Sequence, residues 1–232
     1  MSGTGRVLRF REASDAVEAI GWRYLLATLR TGVAVTSLAQ GSAVAAKAVE
    51  ACASEADRHL WFDVRADKVV LVLQSLDVAA VTDVDVVLAG RISLAVREAG
   101  LATVPDVGSD ASRAVQVVEI AVDAMDIPLV RPFWKAVFGY GGEPGREGPS
   151  DALIDPLRQG PAIWFQQMDA PRPQRNRIHF DVCVPHDEAQ RRIAAGLAAG
   201  GRLTYDAEAP AFWVLADPEG NVACITTWQA RD

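Results

Sequence analysis

Two histidines stand where this chain can do chemistry. His59 lies in Arg58-His59-Leu60-Trp61, where a predicted helix hands over to a predicted strand. A histidine titrates near neutral pH and can serve as a general acid or base. Arg58 and Trp61 flank it and are expected to touch a substrate, and Asp77, after the next predicted strand, to support it. Each also has a plain structural use. A histidine is favoured at a helix end, Asp77 suits a turn, Thr82 a helix cap, and Asp85 the first turn of a helix, where its charge meets the dipole.

His179 lies in Arg177-Ile178-His179-Phe180-Asp181-Val182. Strand alternation puts His179, Asp181 and Cys183 on one face and Ile178, Phe180 and Val182 on the other. A polar trio on a good strand points either to a lined cavity or to the wet face of a half-exposed sheet. Trp164, Gln166, Gln167 and Trp213 are expected to line the same cavity, since aromatic walls with a few polar groups make ordinary ligand pockets. Glu119, His179 and Cys224 are each legitimate metal ligands. No local spacing motif joins them. A divalent metal is therefore possible, and no other cofactor is implied. The chain has no Walker loop, no GxGxxG after a strand and no GxSxG. The glycine-rich stretch from Gly139 to Gly148 follows a predicted helix and precedes none, so it does not cradle a phosphate.

The elements that must position these groups fall into two sets. In the first, Ser14 is expected to cap a short helix that stops at Gly21. Residues 22–30 and 33–37 read as strands about a Thr31-Gly32 turn. A helix over 38–57 places Val44, Ala48 and Cys52 on one side. Phe62 to Ala66 and Val70 to Ser75 read as a hairpin about Asp67-Lys68. Thr82 caps a helix with Val86, Ala89, Ile92 and Val96 on one stripe, ended by Gly100. Residues 102–113 are rich in Pro, Gly, Ser and Asp and read as a linker.

The pattern then restarts. Strands are expected over Val115–Val122, Ala152–Asp155, Ala162–Met168, Ile178–Val184, Leu203–Tyr205, Phe212–Ala216 and Val222–Thr227. Helices are expected over Pro128–Phe138 and 187–199. The first of these turns Val130, Phe133, Trp134 and Val137 inward. The repeated order of strand, helix and strands suggests two related modules. The whole is α+β, with domains over 1–101 and 114–232.

Net charge is −7, and the excess is spread along the chain with no acidic tail. Nucleic acid and anionic membrane are therefore not expected partners. No apolar run reaches 18 residues, so no membrane span is expected. Cys52, Cys183 and Cys224 form no CxxC pair and no disulfide framework. The N-terminus lacks an apolar secretory core. A cytoplasmic protein is the expectation.

The segment DVRADKVVLVL, with Gly21-Trp22 before it and Thr82 and Asp85 after it, resembles the pterin-4a-carbinolamine dehydratases over residues 1 to about 100. That resemblance implies a four-stranded antiparallel sheet with helices on one face, and removal of water from a 4a-hydroxytetrahydropterin by a cluster of three histidines. The matching positions hold Arg58, His59 and Leu76. His59 is thus expected to be the surviving proton-transfer group, and the activity to be weak or lost.

Residues 114–232 are similar to the glyoxalase-like branch of the vicinal oxygen chelate superfamily, through VEIAVDAMD, PFWKAVFGY, NRIHFDV and LADPEGNVACI. The resemblance implies paired βαβββ modules, with ligand positions at Glu119, Trp164, His179 and Cys224. The leading expectation is a dehydratase-like protein with a glyoxalase-like domain that binds a small metabolite. The alternatives are a non-catalytic binding protein using the second cleft, or a metal-dependent lyase or dioxygenase-type enzyme. The first domain also suits homo-oligomer assembly.

Overall fold

The computed structural model describes residues 5–105, 115–171, 179–184, 186–227 and 229–230. Two compact units, Met1–Val117 and Val118–Asp232, divide the chain.

The first unit is built on four strands, β1 (Arg23–Leu25), β2 (Thr28–Ala34), β3 (Leu60–Val64) and β4 (Lys68–Leu73). They form an antiparallel sheet in the order β1-β2-β4-β3. Helices α1 (Phe10–Val17), α2 (Leu38–Cys52), the short α3 (Ala56–His59) and α4 (Asp83–Glu98) complete the unit. Register puts Leu29 beside Leu73 and Val33 beside Val69. That face is buried in one core with Val44, Ala48 and Cys52 of α2 and Leu88, Ala89, Ile92 and Val96 of α4. Trp22 is fully buried, and its indole N–H donates to Ser93 Oγ at 2.9 Å, pinning α4 to the start of the sheet. Mixed helix and an antiparallel four-stranded sheet agree with the α+β expectation.

Several local expectations are corrected. α1 begins at Phe10, with Ser14 inside it rather than capping it, because Ala13 and Val17 form its buried stripe. The first hairpin turns at Leu26-Ala27, both at positive φ (44° and 58°), and not at Thr31-Gly32. Thr31 and Gly32 pair with Leu71 and Val70 instead, because sheet pairing runs unbroken through them. α2 stops at Cys52, where Ala53 takes a left-handed φ of 51°. A 3₁₀ turn over Ala53–Glu55 then leads into α3. α4 starts as expected. The Asp85 carboxylate accepts from the Thr82 backbone N–H at 2.7 Å, the reciprocal half of a capping box. It ends at Gly100, φ 75°, with the Leu101 N–H on the Val96 carbonyl. Val104 then bridges Gly32 of β2, and residues 106–113 of the expected linker lie outside the described residues.

The second unit contains two sheets over one core. β5 (Glu119–Ala124) pairs in parallel with β6 (Ala162–Gln167). β7 (Phe180–Cys183), β8 (Arg202–Tyr205), β9 (Phe212–Ala216) and β10 (Val222–Thr226) form a sheet in the order β7-β10-β9-β8, with β7 and β10 parallel. α5 (Ile127–Phe138) and α6 (Ala189–Ala198) pack on that core. The Asp126 carboxylate caps α5, and Gly139 at φ 70° ends it. Val130, Phe133, Trp134 and Val137 all turn inward, as their spacing predicts.

The expected strand at Ala152–Asp155 is reduced to isolated bridges, Leu153 with Ile163 and Ile154 with Gly141. β5 begins at Glu119, not Val115. Ile178, the expected start of the next strand, lies outside the described residues. The Asp217-Pro218-Glu219-Gly220-Asn221 turn between β9 and β10 is locked by one carboxylate. Asp217, fully buried, accepts from the Trp134 indole (3.0 Å) and the backbone N–H groups of Glu219 and Asn221 (3.0 and 2.8 Å).

Candidate functional site

In the first unit, α3 ends at His59 and β3 starts at Leu60, which sets the imidazole beneath the start of α4. The ring is buried, with Nδ1 at 2.8 Å from Asp85 Oδ1. Ser75 Oγ lies 3.2 Å from the same nitrogen and donates to Asp85 Oδ2 at 2.8 Å. The Thr82 hydroxyl donates to that oxygen at 3.0 Å. Each neighbour has a proton to give, and a carboxylate can take them all. His59 Nε2 faces Glu55 at 3.6 Å.

Asp85, read from sequence only as a first-turn carboxylate, is therefore the partner of His59. Asp77 does not touch the imidazole in any hydrogen bond or ion pair described; it is paired with the Arg58 guanidinium at the surface. The correction has a simple cause. Asp85 comes from the capped end of α4, which packs over the strand ends, whereas Asp77 lies in the exposed turn beyond β4. A cavity of about 20 Å³, lined by Glu55, Arg58, His59, Ser75, Leu76 and Asp77 among others, opens beside the ring. That is room for about one water molecule. Trp61 sits half-buried on β3, opposite Val72.

In the second unit the parallel register of β7 and β10 sets Cys224 beside Asp181. One ligand atom each from His179, Asp181 and Cys224 lies within 4.8 Å of the other two. His179 Nε2 is 3.5 Å from Asp181 Oδ1, and both side chains are exposed, whereas Cys224 is buried. Imidazole nitrogen, carboxylate oxygen and thiolate sulfur together suit a borderline divalent ion such as zinc, and three protein ligands leave a position open.

Glu119 is not among the described residues whose donor atoms come within 4.8 Å of these; it lies on β5, whose ladder is with β6. Asp181 is the third member of the group; its shared face with His179 hinted at this, but the register with β10 was needed to bring Cys224 beside it. Cys183 is exposed opposite Thr226 and is not in the group. Trp164 and Gln166 are exposed on β6, opposite Ala121 and Asp123. Trp213 is corrected: it faces the core with Ile225, because alternation along β9 turns Val214, not Trp213, toward Cys224.

Residues 119–226 match the model of a glyoxalase-like domain. Among solved structures, a glyoxalase/bleomycin resistance protein/dioxygenase family enzyme from Burkholderia phytofirmans PsJN is 20% identical, covering 47% of this chain and 95% of its own, with a TM-score of 0.39. A glyoxalase-related enzyme from Fulvimarina pelagi is 20% identical over 48% of this chain and 87% of its own, TM-score 0.39. The fosfomycin resistance protein FosX from Listeria monocytogenes is 11% identical over 51% and 94%, TM-score 0.39. No curated protein matches the chain. Over residues 119–226, then, the second unit carries a glyoxalase-like domain.

Proposed function

We propose that the second unit is a metal-dependent enzyme of the vicinal oxygen chelate class acting on a small metabolite. One observation carries this reading: His179 just before β7, Asp181 on β7 and Cys224 on β10 bring three different donor atoms within 4.8 Å of one another. A divalent ion held there would act as a Lewis acid on a carbonyl or hydroxyl oxygen. The chain's own part is to hold the donors in place. β10 fixes Cys224 from the buried side, and the exposed His179 and Asp181 leave the set open to solvent and substrate. Trp164 and Gln166, exposed on β6, are the side chains available to a substrate from the other sheet.

Titration of the full chain with cobalt(II) tests this. A thiolate-to-cobalt charge-transfer band at one equivalent is expected, lost in Cys224→Ser and weakened roughly a hundredfold in affinity in His179→Ala. Absence of the band, or its loss in Cys183→Ser instead, would overturn the assignment.

A second reading concerns the first unit, as a pterin-4a-carbinolamine dehydratase-like scaffold with the reaction weak or lost. The antiparallel sheet and the buried His59 beside Asp85 support the scaffold. The single-water cavity, the pairing of Arg58 with Asp77 and the aliphatic Leu76 support the loss. Each missing acid–base group typically removes about 10²–10⁴-fold. An assay of 4a-hydroxytetrahydropterin dehydration should give a rate near background, unchanged in His59→Ala; a rate that the substitution abolishes would refute the loss.

A further inference from the structure

A second cavity in the first unit, about 510 Å³, lies between the end of α2 and the first turns of α4. Its floor is apolar, with Val84, Val87 and Leu88, and Val87 is 53% exposed. Its polar groups are segregated. Glu55 and Asp83 stand at the end nearest the start of α4, and Arg91 stands two turns further along. Eight residues separate Asp83 from Arg91, roughly 12 Å along the helix axis. They are too far apart to neutralise one another.

Arg91 forms no ion pair among the described residues, although its charge reaches the Cys52 thiol across the cleft. Among the other charges near the acidic end, Arg58 pairs with Asp77 and also feels the charge of Glu55. Asp83 accepts the Arg6 backbone N–H at 2.9 Å, the Arg6 guanidinium pairs with Glu12, and Glu55 faces His59. The wall also contains Ala53, an L-residue held at φ 51° and ψ −129°. Such strain persists where the surrounding structure imposes it, and it clusters at ligand sites.

We propose that this cleft binds an elongated small molecule with a basic nitrogen at one end, a carboxylate at the other and an apolar chain between. The nitrogen sits against Glu55 and Asp83, the carboxylate on Arg91, and the chain on Val84, Val87 and Leu88. Helical side chains tilt toward the helix N-terminus, so Arg91 leans back over the floor and shortens the span. Glu55 also lines the small cavity at His59. Occupancy of the cleft is therefore felt at the buried imidazole. This site is independent of the metal-binding reading of the second unit.

The test uses the full chain with methyl-labelled valine and leucine and three probes: 6-aminohexanoate, hexanoate and hexylamine. Saturable shifts of the Val84, Val87 and Leu88 methyls with 6-aminohexanoate are expected, at an affinity roughly tenfold above either one-ended probe. Arg91→Gln should erase the advantage over hexylamine, and Glu55→Gln the advantage over hexanoate. Both substitutions are on exposed or part-exposed helical positions, and unchanged spectra elsewhere will show that the fold is kept. No saturable shift, equal binding of the three probes, or an advantage that survives both substitutions would overturn the proposal.

Discussion

His59 Nδ1 lies 2.8 Å from the carboxylate of Asp85, which is fully buried. Three further protons, from the Ser75 hydroxyl and from the Thr82 hydroxyl and backbone N–H, point at the same group. Asp85→Ala would remove the acceptor that they share, leaving the hydroxyls only one another and the imidazole. Its cost is expected to be about 3 kcal/mol, the upper end of the range for leaving buried donors without their acceptor. Urea unfolding of the first unit measures it. A loss under about 1 kcal/mol would mean that the network is a surface-like convenience, not a buried anchor.

The Leu26-Ala27 turn joins β1 to β2 with both residues at positive φ. A two-residue hairpin loop of that shape favours Asn-Gly, because side chains beyond asparagine are strained there. The double substitution Leu26→Asn with Ala27→Gly should therefore raise stability by about 1 kcal/mol or more. A raised melting temperature of the first unit checks it, and a lowered one contradicts the turn geometry. Leu26 is half-exposed, so little core contact is lost.

Burial pushes the Cys52 thiol up to about 11, partly offset by Arg91. The unfolded chain releases this proton near the ordinary value of 9.0, before the folded one does. Stability from this group is thus fully present below pH 9 and declines as pH rises toward 11. Cys52→Ala should flatten that alkaline decline while costing some packing at all pH values. Denaturant midpoints measured across pH 8 to 11 would show it, and identical slopes in both proteins would count against the buried thiol.

Local rules reached much of this fold. The stripe of α4, its Thr82 cap, its Gly100 stop and the inward face of α5 follow from spacing and caps alone, because neighbouring residues decide them. The shared face of His179 and Asp181 is legible for the same reason. What escaped was set by distant pairing. Asp85 meets His59 only because α4 crosses the strand ends. Asp181 meets Cys224 only through the β7–β10 register. The first hairpin misled for another reason: Thr31-Gly32 has turn chemistry but lies where the ladder continues, and Leu26-Ala27 turns without it.

Parallel pairing of β7 with β10 has a consequence for assembly. Cys224 follows Asp181 by more than forty residues, and α6, β8 and β9 all lie between. Closing so long a loop slows folding, since the entropy is lost before the contact is gained. The three donors are therefore expected to come together late, after the hairpin of β9 and β10 has formed. An ion captured at that moment would stitch β7 to β10, and would act as a fastener for the sheet as well as a reagent.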